Sequence, residues 1–107
     1  MAVKGIFILH RRQGMSPEAF GNYWKGTHGA IAAKIPGLRK YVQNHVVPGS
    51  AQGDPPYDGV AEVYFDSPEA LQAGLASPQG KATLDDLPKF LDVTRSGMFL
   101  VNEVKVV

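Results

Sequence analysis

The chain carries three histidines and no cysteine, so acid–base work near neutral pH falls to His10, His28 or His45. Thiolate nucleophiles, disulfides and cysteine zinc sites have no residue to form them. Phe20, Tyr23, Trp24, Thr27, His28, Ile31 and Ile35 recur at three- and four-residue steps, the spacing of one helix face, while Glu18, Asn22, Lys25 and Gly29 fall opposite. His28 therefore points toward the core, one turn after a tryptophan. An imidazole there breaks the binary pattern, and such breaks tend to mark functional positions. Neutral, it is a general base; its plainer reading is a buried histidine bonded to a backbone carbonyl. Further on, Tyr41, Gln43 and His45 alternate along one strand and share a face, with Val42, Asn44 and Val46 on the other. His45, beside a loop, has the plain reading of a half-exposed sheet residue. His10 follows a strand end next to two arginines and is expected in solvent. No HxH, HxxxH or HExxH spacing occurs, so a metal would require His28, His45 and a carboxylate to converge, and neither a metal nor haem is expected.

These side chains depend on the elements that carry them. Ser16 is placed to cap a helix, with Pro17 at its first position, where the missing N–H costs nothing. Met15 and Phe20 have the spacing of a hydrophobic staple. Gly21, Gly26 and Gly29 each weaken a helix by roughly 1 kcal/mol relative to Ala, so this helix must lean on packing. Pro36 ends it, Gly37 permits the turn, and Leu38 to Val47 alternates as a strand. Ser67-Pro68-Glu69-Ala70 repeats Ser16-Pro17-Glu18-Ala19 51 positions later, which suggests a second strand–helix–strand half. Within it Ser77-Pro78 restarts the helix, and Leu71, Leu75, Leu84, Leu87, Phe90 and Leu91 are the expected apolar face.

Val3 to His10 and Asp58 to Asp66 read as strands one and three, and Thr94 to Val107 as the last. Pro48 to Tyr57, rich in Gly and Pro, reads as a loop between strands two and three. Strand, helix, strand, strand, helix, strand is the split βαβ order of an α+β, ferredoxin-like fold, βαββαβ, with a four-stranded antiparallel sheet and both helices on one face. Strands one and four are apolar on both faces, yet two helices cover only one. A second copy packing on the open face would close a dimeric α+β barrel, so a homodimer is expected. Glu62 is out of phase with Ala61, Val63 and Phe65, so it is expected on that open face, paired with Asn44 or with the other subunit.

With 107 residues the chain is expected to form a single domain over 1–107. A net charge of +1 with scattered basic residues leaves no stripe for nucleic acid. The apolar run near the N-terminus is broken by Lys4 and Gly5, and no stretch approaches the ~20 residues of a membrane span. Neither nucleic acid nor membrane is an expected partner, and the cytoplasm is the expected compartment.

At FGNYWKGTHGAIAAKIPGLRKYVQNHVV and YDGVAEVYFDSPEAL the sequence resembles the EthD family of the dimeric α+β barrel superfamily. Its most specific parts are Tyr23-Trp24 before His28, Pro36-Gly37-Leu38 before Tyr41, and Glu62 before Tyr64-Phe65-Asp66-Ser67. The resemblance implies a homodimer with a pocket in each subunit between sheet and helices. It also implies a setting in bacterial ether degradation beside a cytochrome-type oxygenase. Similar proteins include methylmuconolactone methylisomerases, which work without a cofactor, and fungal polyketide-tailoring proteins. Carried over from the methylisomerases, the helical histidine corresponds to His28 and the tyrosine after Pro-Gly-Leu to Tyr41. A cysteine of their third strand matches Val63 here, and their loop histidine has no counterpart, which argues against methylmuconolactone itself as substrate.

Together these readings lead to one expectation. A small apolar molecule (a lactone, phenol or polyketide-like compound) binds against Phe20, Trp24, Gln43, His45 and Val63. His28 takes a proton and Tyr41 donates to a developing enolate or carboxylate, an isomerase- or lyase-type reaction without a cofactor. The alternatives are a non-catalytic accessory protein serving an oxygenase partner in xenobiotic breakdown, and a cofactorless oxygenase.

Overall fold

The structure, a computed structural model, describes residues 2–51, 53 and 55–107. Four strands, β1 (Val3–Leu9), β2 (Lys40–His45), β3 (Gly59–Phe65) and β4 (Gly97–Val101), form one antiparallel sheet in the order β2-β3-β1-β4. The first crossover is helical: α1 (Pro17–Tyr23), a wide π turn over Trp24–His28, and α2 (Gly29–Ala32). The second is α3 (Pro68–Ala76) and α4 (Pro78–Asp86), followed by a short 3-10 turn at Leu87–Lys89. This is the ferredoxin-like arrangement.

Serine begins every main helix for the same reason. The hydroxyls of Ser16, Ser67 and Ser77 accept from the amides of Ala19, Ala70 and Gly80 at 3.0–3.1 Å, and a proline occupies the next position each time. The repeated Ser-Pro-Glu-Ala thus marks equivalent starts in the two crossovers. Gly80 lets α4 fold back on α3: a Cβ there would collide with the backbone of Gly74 and Leu75.

Strand alternation assigns the two faces of the sheet. Gly59, Ala61, Val63 and Phe65 of β3 are buried under the helices, and Val60, Glu62 and Tyr64 point to the open side. The helix-covered core forms two groups. One joins Leu9, Phe20, Trp24, Ala61, Phe90 and Leu91; the other joins Val3, Ile35, Val63, Phe65 and Leu71. Phe7 and Tyr41 pack against both and bridge them.

Several sequence expectations change. The strands are shorter than their apolar patterns, and β4 ends at Val101, with no regular structure from 102 to 107. Leu84 is 40% exposed, because α4 turns its Gly80–Thr83–Asp86 side inward instead. In the first crossover Thr27 is exposed and Ile31 half-buried, while Ala32 is buried. The loop expected over 48–57 includes Gln52 and Asp54, which lie outside the described residues.

Candidate active site between sheet and helices

The buried residues of the first crossover are Phe20, Trp24, His28 and Ala32, spaced by four throughout. On a regular helix of 3.6 residues per turn, three such steps drift by about 120°. The wide turn takes up part of that drift: the Gly29 amide reaches back five residues to the Trp24 carbonyl. His28 thereby stays on the same side as Trp24, facing the sheet. Gln43 supports the turn from β2, its Nε2 donating to the Trp24 carbonyl at 2.9 Å. Gly59 makes room for the indole, since a Cβ there would sit 2.7 Å from Cη2 of Trp24.

His28 is 5% exposed and its ring packs on Phe90, with centroids 4.7 Å apart. Its Nδ1 lies 2.9 Å from Oδ2 of Asp86, which is itself 4% exposed. The other carboxylate oxygen, Oδ1, accepts from the Tyr23 hydroxyl at 2.7 Å, with Lys89 Nζ 3.8 Å away at the surface. Burial pushes the His28 pKa below its usual value, against the opposing pull of Asp86. For Asp86, burial acts upward, but the hydrogen bonds from Tyr23 and His28 outweigh it and hold the carboxyl below its ordinary range. Donation to Asp86 pushes the Tyr23 hydroxyl up to about 12. The state these shifts favour is an ionised Asp86 and a neutral His28 that donates from Nδ1–H. No buried side-chain nitrogen or oxygen among the described residues lacks a partner, and no described side chain bonds Nε2. Nε2 accordingly keeps accessible surface and an unbonded lone pair, on a residue that lines a cavity.

That cavity sits between the two core groups. Its walls include Trp24, His28, Tyr41, Val63, Phe65 and Phe90, and no charged side chain lines it. Tyr41 is held by Gln43, whose Nε2 donates to the phenol oxygen at 2.8 Å, leaving the hydroxyl proton available to a ligand. Burial pushes the Tyr41 phenol up, so it stays protonated at neutral pH. A lone-pair acceptor on His28 and an O–H donor on Tyr41 face one apolar space, an arrangement suited to moving a proton between them through a bound molecule.

Of the residues singled out from sequence, His28, Tyr41, Trp24 and Val63 line this cavity; Phe20, Gln43 and His45 do not. Phe20 packs behind Trp24 and against Phe90. Gln43 works from outside, bonding Trp24, Tyr41 and His45. His45 is exposed and stacks on Trp24 with centroids 4.3 Å apart, so the indole separates it from His28. Asp86 and Tyr23 were missed as site residues. A signal existed, because Asp86 lies three and six residues after Thr83 and Gly80 and four before Phe90, on the inward stripe of α4. Following Leu84 and Leu87 instead hid it. Glu62 lies on the open face, where its carboxylate accepts from Asn44 at 2.8 Å and pairs with Lys4 at 2.9 Å. Among the described residues no cluster of three or more His, Asp or Glu side chains is placed to hold a metal.

The EthD domain matches residues 12–94 of this sequence, and the chain belongs to the EthD family. An EthD family protein from Bacillus halodurans is 30% identical and superposes with a TM-score of 0.82, over 97% of this chain and 100% of that one. A dimeric ferredoxin-like protein of unknown function from Thermobifida fusca is 19% identical, with a TM-score of 0.73 over 94% and 90% of the two chains. SnoaB, a cofactor-independent oxygenase from Streptomyces nogalater, is 17% identical, with a TM-score of 0.60 over 99% and 94%. The last two likenesses are of fold. No curated protein matches the sequence.

Proposed function

We propose that this chain is a single-domain, homodimeric, cytoplasmic protein that binds a small apolar organic molecule and transfers a proton on it without a cofactor, as an isomerase or lyase does. His28 is the base, through Nε2, and Tyr41 the acid that stabilises the developing enolate. The observation that carries this reading is the tether on His28: Asp86 holds Nδ1 at 2.9 Å, which leaves Nε2 as the unbonded nitrogen of a residue that lines one cavity with Tyr41. A structural histidine needs no free nitrogen beside a cavity. Dimeric relatives of the same fold support the homodimer, as does the apolar open face of the sheet.

The test is turnover across a panel of lactones and phenols. With His28→Asn, turnover should be lost while ligand affinity survives; unchanged turnover overturns the assignment of His28 as base. An accessory protein holding a metabolite for an oxygenase, in xenobiotic or ether breakdown, would instead show altered affinity and no rate to lose. The likeness to SnoaB favours a second reading, a cofactor-independent oxygenase. There the same base would deprotonate an electron-rich phenol, and the phenolate, nucleophilic at ring carbon, would react with oxygen, one atom entering as a quinone carbonyl and the other leaving as water; an oxygen electrode separates the two.

A further inference from the structure

The cavity beside His28 has about 40 Å³ of free volume, room for roughly three waters at ~10–15 Å³ each on the same measure. A phenol-sized ring enters that space only as the side chains around it give way. An apolar groove of about 270 Å³ adjoins it, between α4 and the helix-side face of β4. The two share Phe7, Leu9, Leu75, Leu84 and Leu87 as walls, so those side chains border both spaces. Leu84 is 40% exposed and has solvent to turn into.

The groove exists because the helices stop short of β4. Met98 pairs with Phe7 and Leu100 with Gly5, which puts both on the helix side of the sheet. Each is nevertheless 43% exposed, and Val93 at the groove's outer end is 49% exposed. Neither the cavity nor the groove is lined by a charged side chain; polar groups stand at the ends, with His28, Tyr41 and Thr83 inside and Ser96 at the rim.

We infer that the ligand is an elongated, uncharged amphiphile. One hydrogen-bonding head meets His28 and Tyr41, and an apolar tail passes Leu84 and Leu87 to lie against Met98 and Val93. The inference rests on the proposed use of the His28 cavity and adds the size and polarity of what enters it. A carboxylate anywhere along the tail would be desolvated without a cation to meet it, so anionic ligands are rejected.

The experiment measures binding of phenol and of 4-ethyl-, 4-butyl- and 4-hexylphenol through the fluorescence of Trp24, the chain's one tryptophan. Affinity should rise by up to about fourfold per added methylene, the gain for full burial at ~0.8 kcal/mol each. The acid 4-(4-hydroxyphenyl)butanoate should bind more weakly than butylphenol by at least tenfold. Met98→Phe and Val93→Phe, which add bulk to the groove at two independent points and keep Trp24 the single tryptophan, should leave phenol binding within twofold and abolish the gain from the longer tails. The inference is overturned by affinity that does not rise with chain length, by a gain that survives both variants, or by carboxylate binding equal to butylphenol. It is also overturned if the groove variants change the sedimenting mass and not the chain-length dependence, since a second copy would then occupy the groove. None of these readings uses turnover, so loss of the His28 chemistry would leave them standing.

Discussion

Nδ1 of His28 and Oδ2 of Asp86 meet at 2.9 Å across 58 positions of sequence, and both side chains are buried. The pair ties the first crossover to the second, and its histidine lines the cavity. It fixes one imidazole nitrogen and leaves the other unbonded, and Tyr23 holds the second carboxylate oxygen so that Asp86 cannot turn away.

Asp86→Asn tests that orienting role. Asp86 holds the His28 pKa up against burial, so its removal should lower that pKa further. The acid limb of the kcat/KM profile then moves to lower pH, and the neutral amide no longer enforces one tautomer, which should cost roughly tenfold to a hundredfold in rate. Imidazole NMR of His28 across pH reads the shift directly. A His28 titration unchanged from the wild type would contradict the orienting role.

Gly59→Ala tests the seat of Trp24. A methyl group 2.7 Å from Cη2 and 3.2 Å from the Asn44 carbonyl cannot be accommodated in place. The variant should lose about 1–3 kcal/mol of stability in urea titrations. Because Trp24 walls the cavity, its emission should shift as well. Gly26→Ala is the control, since nothing lies within 4 Å of the added carbon; that helical position should be neutral or mildly stabilised.

Much of the frame could be read from sequence because it rests on local rules. Ser16-Pro17 and Ser67-Pro68 announce helix starts whatever surrounds them, and the alternation of Ala61, Val63 and Phe65 around Glu62 assigns both faces of β3. His28 was legible for a similar reason, as an imidazole on an apolar stripe. Its partner was not, because the contact with Asp86 depends on how α4 rolls against the first crossover, and Gly80 sets that roll through a close approach of backbones. The wide turn at Trp24–His28 was hidden too. A regular helical period places Thr27 and Ile31 inward, whereas the extra reach of the Gly29 amide brings in Ala32. His45 was placed on the correct strand face, but strand alternation cannot reveal that Trp24 would lie between it and the cavity.

The open sheet face gives a prediction about assembly. Ile6 and Phe99 pair directly across β1 and β4 on that face, and Phe99 is 50% exposed. Lys4, Glu62, Asn44 and Tyr64 form a bonded polar group beside them. In the proposed dimer a second copy covers this surface. Phe99→Asp should yield a folded monomer by sedimentation with an unchanged far-UV spectrum. A variant that stays dimeric would place the interface elsewhere.

The buried neutral state of His28 also sets how stability depends on pH. Its folded pKa lies below the unfolded value of 6.5, so above that pH the ring is neutral in both states and costs nothing. As pH falls through 6.5 the unfolded chain takes up the proton first; it then binds more protons than the folded chain, and stability declines until the lowered folded pKa is reached. Asp86, with a folded pKa below 3.8, contributes stability above that pH and loses it only in stronger acid. Urea midpoints should therefore fall between pH 7.5 and 5, before the carboxylate matters. His28→Asn should flatten this slope. His45→Gln should leave most of it, because His45, although lowered by burial and by Lys25, is exposed and its effect is screened by solvent. If the slope persists in His28→Asn, the imidazole is not held neutral by its surroundings, and the base assigned to the cavity loses its physical ground.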